Sequence, residues 1–144
     1  MLRQFLVGGA VSIVNITIHA LVMTIVVRVA QAASVNEKSH PSLFVIAVMI
    51  PTVSVLMITH TIEVIVWALA YWIVDATPPG ANLVYFAFVN YATLGYGDVV
   101  PVRAWLLLGP ITAMNGFLLL GWSTAVIFEV LRKALARRGN ISDD

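Results

Sequence analysis

Three long stretches of the sequence contain no Asp, Glu, Lys or Arg, and they limit the possible folds more than any other feature. They run from Phe5 to Val27, from Ser42 to Ile62 and from Ala104 to Phe128. A helix that crosses a membrane needs about 20 consecutive apolar residues, and each stretch reaches that length. Only 10% of the 144 residues are charged, against about a quarter in an ordinary soluble domain. We therefore predict an all-α integral membrane protein with three transmembrane helices.

Little chain remains outside these stretches, so we expect no enzymatic or soluble ligand-binding domain, which would need about 50 residues or more. The absence of cysteine excludes disulfides and cysteine-ligated metals. Ala30-Gln31-Ala32 is typical of a signal-peptide cleavage site, but the apolar run before it is longer than the roughly 7–15 residues of a signal core, and only Arg3 precedes that run. We expect this first helix to be retained.

The first predicted helix carries a stripe of small and polar residues at intervals of three to four positions. The stripe consists of Gly8, Ser12, Asn15 and His19. In membranes, small residues let helices approach closely and polar residues form hydrogen bonds across the interface. We predict that this stripe faces protein, with a proton or ion role for His19 as the alternative.

The second predicted helix, residues 42–74, is longer than the membrane is thick and contains Pro51, where we expect a bend. It places Glu63 near the middle of the bilayer, with His60 three residues earlier on the same face. An ionisable residue at that depth usually faces the protein interior.

Two interpretations of Glu63 stay open at this point. Glu63 and His60 could sense pH and change the packing of this helix against its neighbour. Alternatively, Glu63 could be held in a purely structural network of hydrogen bonds. The candidate partners in such a network are His60, Trp67, Asn90 and Asn115.

The segment from Leu83 to Gly97 has only 15 uncharged residues, too few to cross the membrane. We therefore expect it to enter the membrane and return. Irregular backbone at membrane depth is tolerated only where protein buries it or where it lines a water-filled cavity. This segment indicates a pore.

Residues 93–98, Thr-Leu-Gly-Tyr-Gly-Asp, closely resemble the selectivity-filter signature of the potassium channel family, in which Thr-Val-Gly-Tyr-Gly-Asp follows a short pore helix. The aromatic residues Tyr85, Phe86 and Phe88 before the motif and Pro101 after it extend the resemblance. Residues 52–133 match a pore module of outer helix, pore helix, filter and inner helix.

The resemblance implies that potassium ions bind in the filter and that four copies of the chain, a homotetramer, surround it. The implied ion ligands are the carbonyls of Thr93, Leu94, Gly95 and Tyr96, with the Thr93 hydroxyl. Gly97 and Asp98 would support the filter, Asp98 from the outer mouth, and the Tyr96 ring would point away from the ion and brace the filter against aromatic neighbours. No organic cofactor and no nucleic-acid partner are implied.

The two filter glycines are needed because of the backbone conformation that a carbonyl-lined filter requires. Successive carbonyls can turn to one side only if alternate residues adopt left-handed backbone conformations, which a β-carbon penalises. Gly95 and Gly97 stand at such alternate positions. Leu94 replaces the common valine, from which we expect changed packing rather than lost selectivity.

Gly116 lies in the inner helix at a position where the potassium channel family often has a hinge glycine. Bending there could open the pore, but glycine is also frequent in membrane helices because it allows close packing. Both interpretations stay open.

Charge predicts the orientation in a cell membrane. Arg132, Lys133, Arg137 and Arg138 follow the last span closely, which places the C-terminus in the cytoplasm and, after three crossings, the N-terminus outside. We expect an added helix and cytoplasmic linker at residues 1–41, a pore domain at 42–133 and a cytoplasmic tail at 134–144. Within the pore domain, the outer helix spans 42–74, the pore helix and filter 83–98 and the inner helix 102–133.

The function expected from these features is passive, potassium-selective conduction by a multi-pass membrane protein surrounded by lipid, without enzymatic activity. A weakly selective cation channel and a non-conducting accessory subunit are the alternatives. Regularly spaced arginines of a voltage sensor are not present in the first helix.

Overall fold

A computed structural model describes residues 1–33 and 41–141, and these ranges contain helices and no strand. The elements are α1 (Leu2–Ala33), α2 (Pro41–Ile73), α3 (Leu83–Tyr91), a 3-10 turn (Arg103–Trp105) and α4 (Leu108–Ile141). Three segments, Leu2–Ala30, Leu43–Ile73 and Arg103–Leu135, are long and apolar enough to span a membrane. The predicted all-helical membrane fold with three spanning helices is confirmed.

Helix α2 continues through Pro51 without a break. Beside the proline, the Thr52 hydroxyl donates to the Val48 carbonyl at 2.8 Å. The bend expected at Pro51 therefore does not end the helix. The predicted linker falls largely on residues 34–40, outside the described residues, and the predicted tail from residue 134 begins within α4.

Helix α3 is short because its two ends are defined by local chemistry. Pro78, Pro79 and Gly80 form the preceding turn, and the Asn82 side chain caps the helix by accepting from the Tyr85 amide at 3.0 Å. After Tyr91 the backbone leaves the helical region. The segment thus enters the bundle as nine residues of helix and returns as irregular chain.

The main core lies where α3 inserts between α2 and α4. Its large buried residues are Trp67 and Tyr71 of α2, Phe86 and Tyr91 of α3, and Trp105 and Leu108 at the start of the last span. A second apolar cluster, centred on Met23, Leu56, Val126 and Val130, closes the opposite end of the bundle. Helix α1 packs against both α2 and α4.

The start of α1 lies at the same end of the bundle as the 3-10 turn. The Arg3 guanidinium sits 4.5 Å from the centre of the Trp105 ring, and the Gln4 side chain accepts from the Leu107 amide at 2.8 Å. These contacts attach the first residues of the chain to the segment that follows the filter motif.

Candidate functional site

The backbone of the Thr-Leu-Gly-Tyr-Gly-Asp segment alternates between two conformations. Thr93, Gly95 and Gly97 have φ angles of 59°, 59° and 77°. The two glycines adopt the left-handed conformation expected of them, at no steric cost. Thr93 carries a β-carbon and adopts it at a cost of roughly 1–2 kcal/mol, so the surrounding structure must hold it in place.

The amide groups at the start of this segment turn back to the end of α3. The Thr93 amide donates to the Asn90 carbonyl at 2.9 Å, and the Leu94 and Gly95 amides donate to the Val89 carbonyl at 2.9 and 3.4 Å. Within residues 1–33 and 41–141, no donor is paired with a carbonyl of residues 93–98. The backbone carbonyls of the segment are therefore left without hydrogen-bond donors in the described part of the subunit.

All six residues from Thr93 to Asp98 are exposed in the single subunit. The Tyr96 ring keeps 66% of its surface exposed, so its expected aromatic brace does not come from its own subunit. The Asp98 carboxylate lies close to the Tyr85 hydroxyl, and hydrogen bonding to it, with its negative charge, raises the pKa of Tyr85. Asp98 is thereby joined to the first turn of α3.

A cluster of polar side chains lies behind this segment, in the interior of the bundle. At its centre is Glu63, which has no exposed surface. Its Oε1 is 2.9 Å from Nδ1 of His19, its Oε2 is 3.0 Å from Nδ1 of His60, and the Tyr91 hydroxyl donates to Oε2. Helices α1, α2 and α3 all meet at one carboxylate.

The far side of both imidazole rings faces α4. The Ser123 hydroxyl oxygen is 2.8 Å from Nε2 of His60 and 3.4 Å from Nε2 of His19. The two rings therefore bridge the Glu63 carboxylate and the Ser123 hydroxyl side by side. We call His19, His60, Glu63, Tyr91 and Ser123 the histidine cluster.

A second polar junction lies close to the histidine cluster. The Asn115 side-chain oxygen accepts from the Trp67 indole at 3.0 Å and from the Asn15 amide at 3.2 Å. The same Asn15 amide group donates to the backbone carbonyl of Glu63 at 3.2 Å. This junction joins α1, α2 and α4.

Comparison with known proteins identifies the family. A family model described as "Ion channel" matches residues 59–133, which are 75 of the 144 positions. The chain belongs to this ion channel family. No curated protein and no solved structure matches the chain. The family points to a membrane transport protein rather than an enzyme.

The family match covers most of the site of this ion channel but not all of it. Glu63, the filter motif and Gly116 lie inside residues 59–133, whereas His19 and Asn15 belong to α1 and lie outside. Helix α1 thus contributes buried polar contacts to the pore region, although α1 itself lies outside the residues matched by the family model.

The expected partners of Glu63 are partly wrong. His60 contacts the carboxylate as expected, but Trp67 and Asn115 bind each other, and the Asn90 amide donates to the Phe86 carbonyl at 2.8 Å. The reason is that Trp67 lies one turn beyond Glu63 and is taken by Asn115, whereas Asn90, next to Tyr91 in sequence, faces a different side of α3.

The missed partners of Glu63 are His19 and Tyr91, and Ser123 closes the histidine cluster. The prediction that the stripe of α1 faces protein is confirmed, because Gly8, Asn15 and His19 are buried. That stripe was the available signal for His19. Ser123 lies on a small, weakly polar stripe of the last helix in the sequence, but that stripe did not indicate His19 or His60 as its partners, and Tyr91 had no signal of its own.

Gly116 lies against the last turn of α3. A β-carbon at this position would come within 2.1 Å of the Tyr91 carbonyl oxygen and 2.9 Å of the carbonyl carbon. Helix α4 runs through Gly116 without interruption. The contact supports the packing interpretation of this glycine, while its role as a hinge stays a prediction.

Proposed function

We propose that the chain is one subunit of a potassium-selective channel whose filter is formed by residues 93–97 of several copies around a common axis. The supporting observation is the backbone alternation at Thr93, Gly95 and Gly97. A potassium ion leaves water only if oxygens replace its hydration shell, and rows of backbone carbonyls meet this need. The alternation lets a short segment offer such rows.

The hydrogen bonds of the segment support the same proposal. The amides of Thr93, Leu94 and Gly95 are used on the α3 side, so the carbonyls are free to face an ion. The ligands that we propose are the carbonyls of Thr93, Leu94, Gly95 and Tyr96 and the Thr93 hydroxyl. Gly97 and Asp98 hold the outer end of the filter, Asp98 through Tyr85.

One subunit supplies only one wall of such a filter. Residues 93–98 are exposed in the single chain, and irregular backbone at membrane depth requires protein or water beside it. Further copies of the chain would cover the Tyr96 ring and complete the ring of carbonyls. By resemblance to potassium channels, we propose a homotetramer embedded in lipid.

We propose that the N-terminus lies outside the cell membrane and the C-terminus in the cytoplasm. The filter and the start of α1 share one end of the bundle, since Arg3 contacts Trp105. Basic residues concentrate at the other end, where Arg132 and Lys133 lie within 3.1 Å of Glu129. Acidic residues contribute little to orientation, so these cations favour a cytoplasmic position.

The deciding experiment measures ion flux in liposomes that contain the purified full chain, with potassium and sodium gradients in separate samples. We expect potassium flux well above sodium flux, and loss of flux in Gly95→Ala, because alanine is strained at a φ of 59°. The matched control is Gly121→Ala, since in the single subunit a β-carbon there meets no described atom within 4 Å apart from its chain neighbours and the backbone of its own helix. Native mass spectrometry of the same protein should give a mass of four chains.

Two results would contradict the proposal. Equal sodium and potassium flux would indicate a weakly selective cation channel. No flux from a protein that forms the expected oligomer, across a range of pH, would indicate a non-conducting accessory subunit.

A further inference from the structure

We propose that His19, His60 and Glu63 form a binding site for a divalent first-row transition metal of the zinc type, with the Tyr91 hydroxyl as a fourth donor. The site lies in the interior of the bundle and not in the filter. Imidazole nitrogens favour zinc, copper, iron and nickel, whereas the filter offers potassium only oxygen. The two sites therefore select different cations.

Donor atoms from His19, His60, Glu63 and Tyr91 converge on one point in the interior of the bundle. One ligand atom from each of His19, His60 and Glu63 lies within 4.8 Å of the others. The nearest pairs are Nδ1 of His19 to Oε1 at 2.9 Å, Nδ1 of His60 to Oε2 at 3.0 Å and Nδ1 of His60 to the Tyr91 hydroxyl at 2.9 Å. Around an ion with bonds of about 2.0–2.2 Å, neighbouring donors are about 3.3 Å apart. To seat an ion, the hydrogen-bonded pairs would have to open by a few tenths of an ångström, and the wider pairs of ligand atoms, which lie within 4.8 Å of one another, would have to close around it.

The Ser123 hydroxyl supplies an independent argument, which concerns the protons of the two imidazole rings. If, without a metal, both rings carry their proton on the Nδ1 that faces Glu63, both Nε2 atoms are acceptors and the single Ser123 proton can serve only one of them. Both are then satisfied only if one ring holds an additional proton.

A bound metal removes this mismatch. The ion takes the lone pairs of both Nδ1 atoms, so each Nε2 carries a proton, and the Ser123 oxygen has two lone pairs that can accept both. Ser123 lies 2.8 Å and 3.4 Å from these two nitrogens. Metal-binding histidines usually have such a partner on the other ring nitrogen, because it orients the ring.

Burial and charge favour the same conclusion. The side chains of His19 and Glu63 have no exposed surface, and an ionised carboxylate inside a membrane protein is costly unless a cation accompanies it. A divalent ion supplies that charge. The His60 side chain keeps 14% of its surface exposed in the single subunit.

The bound ion would connect three elements, because His19 belongs to α1, His60 and Glu63 to α2, and Tyr91 to the last turn of α3. It would act as a structural clip that holds the added first helix against the pore region. Tyr91 is followed after one residue by Thr93, so the clip would also anchor the entrance to the filter.

The test uses the full chain, purified without a polyhistidine tag and incubated with cobalt(II) chloride, after which unbound metal is removed by gel filtration. We expect one Co²⁺ per chain by elemental mass spectrometry, with the visible absorption bands of tetrahedral cobalt. We expect His19→Ala and Glu63→Gln to retain less than about a tenth of this amount, because each removes a ligand. His40→Ala, which removes the third of the three histidines, is the matched control.

Ser123→Ala keeps all ligands and removes only the shared hydroxyl, so it distinguishes loss of the site from loss of the fold. We expect its affinity for Co²⁺ to fall about 10–100-fold while the gel-filtration profile stays unchanged. The proposal is overturned if wild-type protein retains no more Co²⁺ than His19→Ala, or if Ser123→Ala binds as tightly as wild type. Gly95→Ala should bind Co²⁺ normally, so the metal site and the potassium channel can fail separately.

Discussion

The α-carbon of Gly116 lies so close to the carbonyl of Tyr91 that a β-carbon would come within 2.1 Å of the oxygen. The neighbouring atom is backbone and cannot move aside as a flexible side chain could. We expect Gly116→Ala to separate α4 from α3 and to destabilise the subunit by at least about 1–3 kcal/mol. Thermal unfolding in detergent measures the loss, and potassium flux from liposomes should fall with it.

Gly121→Ala is the control for this prediction, because it places the same methyl group on the same helix where, apart from chain neighbours and the helix backbone, no described atom of the subunit is within 4 Å. If Gly116 acts only as a hinge, Gly116→Ala would leave the melting temperature unchanged and alter only the open fraction of the channel. That result would contradict the packing interpretation.

Asn115 should be more important for stability than its size suggests. Its side-chain oxygen accepts from both Trp67 and Asn15, so Asn115→Leu would leave two buried donors without an acceptor. We expect a loss of about 1–3 kcal/mol per unsatisfied donor, measured by unfolding in detergent.

Tyr71→Phe is the matched comparison for Asn115→Leu. The Tyr71 hydroxyl is 2.6 Å from Thr112, whose own proton is donated to the Leu108 carbonyl. Removing the tyrosine hydroxyl therefore leaves no donor unsatisfied, and we expect a loss of about 1 kcal/mol. A larger loss from Tyr71→Phe than from Asn115→Leu would contradict this ranking.

Tyr85 should titrate above an ordinary tyrosine because Asp98 is its neighbour. The pKa of Tyr85 is raised from its ordinary value of 10.0 by the hydrogen bond and the charge of Asp98. The bond is therefore intact below pH 10 and is lost as the pH rises through the raised pKa. Asp98→Asn should lower the pKa of Tyr85 towards its ordinary value.

Ultraviolet absorbance of tyrosinate measures this titration, and the difference between each protein and its Tyr85→Phe counterpart isolates Tyr85 from the other tyrosines. An unchanged difference curve after Asp98→Asn would show that Asp98 does not hold the hydroxyl in solution.

Gly8 and Gly9 are neighbours in α1 but face different surroundings. A β-carbon at Gly8 would lie 2.9 Å from two side-chain carbons of Ile111, whereas one at Gly9 would have no described atom within 4 Å apart from its chain neighbours and the backbone of its own helix. We expect Gly8→Val to weaken the packing of α1 on α4 by about 1–3 kcal/mol and Gly9→Val to have a smaller effect. Equal melting temperatures for the two variants would contradict this assignment.

The filter segment could be anticipated because its chemistry is local. Gly95 and Gly97 are needed where the backbone turns left-handed, and both adopt that conformation. Thr93 was not expected there, because propensity disfavours a β-carbon at positive φ. The hydrogen bond from the Thr93 amide to the Asn90 carbonyl at the end of α3 helps to hold Thr93 in that conformation.

The histidine cluster could be predicted only in part, because its members come from four helices. Helical spacing shows that His60 and Glu63 share a face, but not which face of another helix lies opposite. His19 and Ser123 are separated by 104 positions, and no pattern in one sequence relates them. The polar stripe of α1 indicated a protein contact without indicating its partner.

The long-range contacts of α1 have a consequence for biosynthesis. Asn15 bonds to Asn115, 100 positions later, and Gln4 to the Leu107 amide, 103 positions later. Until the last helix has been translated and inserted, the Asn15 and Gln4 side chains of α1 therefore lack these partners and are unsatisfied or hydrated by water. Truncated chains that end before residue 107 lack the segment that shelters these groups, so a nascent subunit becomes a stable membrane protein only after its α4 segment has been inserted.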